Sequence, residues 1–305
     1  MTPPALEQLS RGARVLVVRL RSLGDCVLTT PALHLLKQHR PDLEIGVVVE
    51  DRFSQVYEGN PDIAETMPPS KRQVLRFRAE LTLNLHGGAR SAALTALSLA
   101  RWRAGFAHFR QGWVYNVRIP RAQEILGEER TVHTAEHLAS AMFYLGVPRT
   151  EIPRARLFAE ASGRNQPYAL VHPMASAAAK TWPAERFLAV CRHLKEASGL
   201  APVVIGGTGD DLSAFDGFET LRGAPLSEVK ALMAGASLFV GNDSGPAHMA
   251  AAFGVPVVVL YGPESPVIWA PWRTENVKIE APQGLEAVTV ETVIEAVEGL
   301  RGARR

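Results

Sequence analysis

The sequence predicts an α/β protein of two Rossmann-like halves, each built on a parallel sheet. Strand-like apolar runs alternate with helical patterns at βαβ spacing, and this occurs as two series separated by a segment of different composition. A hydrophobic content of 47% and a charged content of 21% over 305 residues are those of a globular chain long enough for two cores.

In the first half the strands are "VLVVRL" (15–20), "EIGVVVE" (44–50) and "LTLNLH" (81–86). The helical patterns are "PALHLLKQH", starting near Thr29-Thr30-Pro31, "RSAALTALSLARW" (90–102), and "HTAEHLASAMFYLG" (133–146), which stops at Gly146 before Pro148. Residues 147–167, "VPRTEIPRARLFAEASGRNQP", are rich in Pro, Arg and Ser without periodicity and read as the linker. The expected domains are therefore 1–155 and 156–305.

The second series begins with strand "YALVHP" (168–173), helix 183–198, strand "PVVIGG" (202–207) and a short strand "ETLRG" (219–223). Helix 226–236, strand "LFVGN" (238–242), helix 245–254, strand "PVVVLYG" (256–262) and a closing helix ending at Gly302 follow. That last helix could pack on its own domain or back on the first.

The net charge of +2 hides an asymmetry. Residues 1–150 hold 19 Lys+Arg against 14 Asp+Glu, and residues 151–305 hold 14 against 17. The basic excess concentrates in "KRQVLRFR" (71–78) and "ARWRAGFAHFRQGW" (100–113), where arginines alternate with aromatics. Such a run reads either as a solvated helix face with packed arginine stems or as a surface for an anionic, phosphorylated or membrane-borne partner. A nucleic-acid partner is not expected, since no binding motif accompanies the patch. Two cysteines, Cys26 and Cys191, form no disulfide or metal pattern, the opening "MTPPALEQLS" has no secretory character, and no apolar run approaches the roughly 18–20 residues of a membrane span. A cytosolic protein is the expectation, with peripheral contact to an anionic membrane surface as the option the basic patch leaves open.

Three strand ends carry candidate chemistry. After the first strand, Gly24 and Asp25 place a carboxylate where α/β proteins commonly bind phosphate. The alternative role for Asp25 is a helix cap. The stretch "ASLFVGNDSGPAHMAAAFGVPVVVLYGPE" (236–264) delivers Asp243, Ser244 and Gly245 to a helix start, with Pro246 suited to the first helical position and His248 in the first turn. A cap and an anion site both fit. In "VHPMASAAAKTWPAERF" (171–187) a small-residue loop containing Ser176 leads to Lys180, a cation suited to phosphate or to solvent. In "VVIGGTGDD" (203–211), Asp211 could accept from ribose hydroxyls or cap a turn. No G-x-G-x-x-G follows the first strand, and no D-x-D pair, H-E-x-x-H or Walker loop occurs, so neither a metal site nor a cofactor is expected.

The set "RLRSLGDCVLTTPAL", "LHGGARSAAL", "KTWPAERF" and "GNDSGPAHMAAAFGVPVVVLYGP", in that order, resembles the bacterial heptosyltransferases of glycosyltransferase family nine. The resemblance implies the GT-B architecture, with the acceptor on the N-terminal domain and the nucleotide-sugar on the C-terminal one. It implies metal-independent, inverting transfer, with ADP-heptose as donor and a sugar of the lipopolysaccharide core, at the cytoplasmic face of the inner membrane, as acceptor. By the same resemblance Asp25 is the general base and Lys180 binds the diphosphate. Asp243, Ser244, Gly245 and His248 line the nucleotide pocket with Ser176 and Asp211, and Gly24, His86 and Arg90 border the acceptor. Thr181, the glycine-free "PMAS" loop (173–176), and Asn84 and His86 depart from the family's usual residues. A GT-B-like nucleotide-sugar epimerase, a transferase with another donor, and a non-catalytic nucleotide-binding relative are the alternatives.

Overall fold

The computed structural model describes residues 4–263 and 265–302. Glu264, at the end of the 236–264 stretch, and the first three residues of the opening segment therefore lie outside it. The chain divides into two compact units, Met1–Leu157 and Phe158–Arg305.

The first unit holds β1 (Arg14–Val18), β2 (Glu44–Val48), β3 (Glu65–Met67), β4 (Leu81–Asn84), β5 (Trp102–Phe106) and β6 (Val117–Ile119). They form one parallel sheet in the order β3-β2-β1-β4-β5-β6. The second holds β7 (Tyr168–His172), β8 (Ala201–Gly206), β9 (Glu219–Arg222), β10 (Leu238–Asn242), β11 (Val257–Tyr261) and β12 (Asn276–Glu280), also parallel, in the order β12-β11-β10-β7-β8-β9. Counted within its own unit, each sheet reads 3-2-1-4-5-6, the doubly wound order. The expected fold class is what forms. Val15 to Val18 and Val257 to Leu260 are wholly buried, as strands covered by helices on both faces must be.

Helix Leu23–His39 starts six residues before the position expected from Thr29-Thr30-Pro31. Pro31 lies inside it and cannot donate to the Val27 carbonyl; the Thr30 hydroxyl donates to that carbonyl instead, at 2.8 Å. The helix thus passes through a proline that reads as a start signal. The pattern read as a helix over 90–102 is helix Gly88–Leu97, ending before Leu99 with φ of 53°. The arginine-aromatic stretch that follows is not a helix face: it is β5, with Ala104, Gly105 and Phe106 buried, then a 3-10 turn at Gly112–Val114. β3, β5, β6 and β12 carry too few consecutive apolar residues to stand out, because short strands toward the sheet's edges need less burial.

In the 147–167 segment, Ile152, Ala155 and Leu157 are buried, and the Arg156 backbone N–H donates to Thr30 at 2.9 Å. Helix Val290–Gly302 sends Val293, Val297 and Leu300 into the second unit's core beside Val190 and Leu194. Glu298 accepts from Ser198 at 2.6 Å and fixes its outer side.

Candidate functional site

The candidate residues fall into two clusters, one per unit, each at the carboxyl ends of the two central strands where the winding direction reverses. In open α/β sheets that switch point is where ligands bind.

In the first unit, β1 runs through Arg19 into helix Leu23–His39, with Ser22 as its cap and Asp25 its third residue. The Asp25 carboxylate accepts from the Ser22 N–H at 3.3 Å and from its hydroxyl at 3.2 Å. Its other oxygen lies 3.5 Å from the Arg19 guanidinium, which is 6% exposed and also donates to Thr29 at 3.1 Å. Both roles foreseen for Asp25 are thus open to one carboxylate. It caps the helix, and with 21% of its side chain exposed it remains reachable. Its occupation of the helix start also means that this N-terminus attracts its own side chain rather than an external anion. Gly24 is buried within the same helical turn.

β4 ends at Asn84, one of the departures from the family pattern. Its side-chain oxygen accepts from the N–H groups of His86 and Gly87, both at 3.0 Å, and its amide donates to Ser91 and Tyr115 at 3.0 and 2.9 Å. Asn84 therefore shapes the turn presenting His86. Burial, then the Arg19 charge, hold the His86 imidazole below the usual histidine range, while Asp25 pulls the other way; the ring is neutral beside the carboxylate. Arg90 is exposed and pairs with Glu50 at 3.1 Å, beyond the end of β2.

In the second unit, β7 delivers His172 and β10 delivers Asn242, Asp243 and Ser244. Asn242 accepts from the Trp182 N–H at 3.1 Å and donates to the Pro173 carbonyl at 2.8 Å, tying the 173–182 loop to the end of β10. That loop carries Lys180, whose ammonium lies 3.6 Å from Asp243. Gly262 allows the arrangement: a Cβ there would sit 2.6 Å from the Ala179 carbonyl oxygen. Ser244 caps helix Gly245–Phe253 in position only, making no side-chain bond to the helix; its hydroxyl bonds the His172 Nδ1 at 3.1 Å. Burial lowers the His172 pKa to about 4, so the ring is neutral. Gly245 and Pro246 open the helix and His248 is buried in its first turn. The helix start therefore keeps its partial positive charge, with a lysine beside it.

Two further predicted residues are exposed. Ser176 is exposed in the loop. Asp211 is exposed and accepts from the Ser213 N–H at 2.9 Å, the turn-capping alternative, which also lowers its pKa. Among the described residues no group of three or more His, Cys, Asp or Glu could hold a metal. The sequence reading gives no role to Arg19 or Gly262, and places Asn242 at its strand end without the part it plays there. Arg19 was visible as the one charge inside an apolar run; the other two depend on contacts distant in sequence.

The family model for "Glycosyltransferase family 9 (heptosyltransferase)" matches residues 70–294. Lipopolysaccharide heptosyltransferase 3 of Escherichia coli is 28% identical, over 85% of each chain. Lipopolysaccharide heptosyltransferase 1 of Salmonella typhimurium is 26% identical, over 83% of this chain and 89% of that one. Among solved structures, a glycosyl transferase family 9 protein from Veillonella parvula superimposes with a TM-score of 0.84 at 24% identity, covering 94% of this chain and 97% of that one. E. coli heptosyltransferase WaaC with ADP gives 0.79 at 22%, covering 94% and 99%. The structural likeness shows the shared GT-B architecture.

Proposed function

Glycosyltransferase family 9 is the family to which this chain belongs, and on that premise we propose that it transfers a heptose from ADP-heptose to a sugar of the lipopolysaccharide core, with inversion and without a metal. The chain is a glycosyltransferase; donor, acceptor and stereochemistry are the proposal. One observation carries it: both central strand ends hold a carboxylate–cation pair, Asp25 with Arg19 and Asp243 with Lys180, yet the first helix start is capped by its own Asp25 while the second, at Ser244, has no side-chain cap.

In this reading the second unit binds the nucleotide-sugar. Lys180 and the N–H groups of Gly245 onward take the diphosphate and stabilise the charge that develops as it leaves. Asp243, 3.6 Å from Lys180, aims the ammonium before the donor arrives. His248 lines the pocket, and Ser176 and Asp211 reach the nucleotide from its rim. The first unit binds the acceptor near Gly24, His86 and Arg90. Asp25 removes the proton from the attacking hydroxyl on the face opposite the leaving diphosphate, which gives inversion. Arg19 orients that carboxylate, and His86 can hydrogen-bond the sugar. The acceptor is lipid-linked and the reaction belongs at the cytoplasmic face of the inner membrane. Among the described residues no helix is long and apolar enough to cross a membrane.

The test is direct. Purified protein is incubated with ADP-heptose and heptose-deficient core, and the product is read by mass spectrometry. Gain of one heptose is expected. Transfer only from a UDP- or GDP-sugar would overturn the donor assignment, and epimerised nucleotide-sugar without transfer would overturn the reaction.

A further inference from the structure

A cavity of about 360 Å³ lies at the far end of the first sheet from Asp25. Asp25 stands beyond the carboxyl end of β1, whereas the cavity is lined by the amino ends of β5 and β6, which run parallel to β1 in the same sheet. Its other walls are the 3-10 turn Ala5–Gln8 and the last turn of helix Thr134–Leu145. The volume is that of a small-molecule pocket.

These walls are fixed by the fold. Ala5 and Leu6 are buried, and a Cβ on Gly146 would meet Pro4 at 2.8 Å, so the opening turn is packed on the helix end. Asn116 ties the two strand starts together: its side-chain oxygen accepts from the Arg103 N–H and its amide donates to the Arg101 carbonyl, both at 2.7 Å.

The lining side chains that this frame leaves unused are all donors. Trp102 is half-buried, and its indole N–H is buried without a hydrogen-bond partner. A buried donor left unpaired is costly, so an idle N–H in a cavity wall points to an acceptor from outside the chain. Tyr144 and Arg118 are exposed, and among the described residues neither side chain makes a hydrogen bond or ion pair. The Arg101 guanidinium lies 5.1 Å from the centroid of the Trp102 ring, which brings a second positive charge beside the wall. No Asp or Glu lines the cavity.

We propose that this cavity is a non-catalytic site for a phosphorylated monosaccharide, with the sugar ring against Trp102 and Tyr144 and the phosphate on Arg118. Tryptophan and tyrosine each offer an apolar face for the C–H groups of a pyranose and a polar tip for its hydroxyls. A guanidinium free of carboxylates matches phosphate in charge and in geometry. The two positive charges exclude a cationic amine, and a bare phosphate would leave the aromatic wall and most of the volume unfilled. The inference goes beyond the transferase reading, since it uses neither Asp25 nor the cluster around Lys180.

The full chain is titrated calorimetrically with glucose 6-phosphate, mannose 6-phosphate and glucose 1-phosphate, and with glucose, inorganic phosphate and 4-hydroxybenzoate beside them. At least one sugar phosphate should bind about ten-fold or more tighter than glucose or inorganic phosphate, the gain from joining a charge-assisted contact to ring burial. Saturating ADP should leave that binding unchanged. Arg118→Gln should weaken it about ten-fold. Trp102→Phe, which keeps a ring and removes the indole N–H, should weaken it several-fold, with thermal unfolding showing both variants folded. No binding of any of the three sugar phosphates, or binding indifferent to both substitutions, would overturn the proposal. So would inorganic phosphate binding equally well, which reduces the cavity to an ion site, or preference for 4-hydroxybenzoate, which assigns it to an aromatic acid. Displacement by ADP would also overturn it, by placing the sugar phosphate at the nucleotide site. Sugar transfer is read in none of these titrations, so failure of the transferase reading would leave their outcome standing.

Discussion

The two units share a strand order and place their functional residues at the ends of their two central strands, yet they treat the helix start found there in opposite ways. After β1 the helix start is closed by its own Asp25, held by Ser22 and faced by buried Arg19. After β10 the helix start receives no side-chain cap, because the Ser244 hydroxyl is engaged by neutral His172. A helix N-terminus attracts negative charge in either case. In one unit the chain supplies that charge itself; in the other it does not. Under the proposed function the first becomes the base and the second the place of the donor's phosphate.

The largest effect should come from the first helix start. Asp25→Asn and Asp25→Ala both remove the base, and each should lower the transfer rate about 10²–10⁴-fold. Their stabilities should differ by about 1 kcal/mol, because asparagine still caps the helix and alanine does not. Turnover measured beside urea unfolding separates the roles. A rate that tracked stability would reduce Asp25 to a cap.

A smaller effect should follow in the second unit from Gly262→Ala. The added methyl would meet the Ala179 carbonyl at 2.6 Å and displace the loop carrying Lys180 without changing any charge. Donor affinity should fall about ten-fold, with a stability loss of about 1–3 kcal/mol. Unaltered nucleotide affinity in a calorimetric titration would show that the loop's position does not matter.

A third effect, confined to mild acid, is on stability alone. His172 titrates near 4 when folded and near the ordinary 6.5 when unfolded, so between those values the unfolded chain binds more protons. Stability is therefore full above about pH 6.5 and falls as the pH is lowered toward 4. His172→Asn should flatten that slope in thermal unfolding followed across the range. A slope unchanged by the substitution would place the titration elsewhere, His137 being the next group held down by burial, also to about 4.

Much of this was legible because α/β chemistry lies at strand ends, and strands such as "VLVVRL" and "LFVGN" announce themselves by unbroken apolar runs. Asp25, Lys180 and Asp243 could be placed from them. The start of helix Leu23–His39 was obscured by Pro31, whose lost hydrogen bond is replaced by a threonine hydroxyl that no periodicity reveals. β5 was hidden because Arg103 and Gly105 break its apolar run, although Phe106 is wholly buried. Asn84 read as a departure from a pattern, and only the contacts it makes with Tyr115, Ser91, His86 and Gly87 show what it does. Asp211 illustrates the reverse: "GDD" fits a ribose site and a turn cap equally, and a carboxylate that accepts from the Ser213 N–H while exposed is open to both.

The division of labour between the two helix starts is tested most directly by titrating ADP into Asp25→Asn and Lys180→Ala side by side with the wild type. The account predicts wild-type affinity for the first and a loss of about 10–100-fold for the second, the value of a charge-assisted phosphate contact. Loss of ADP binding in Asp25→Asn with binding intact in Lys180→Ala would contradict it.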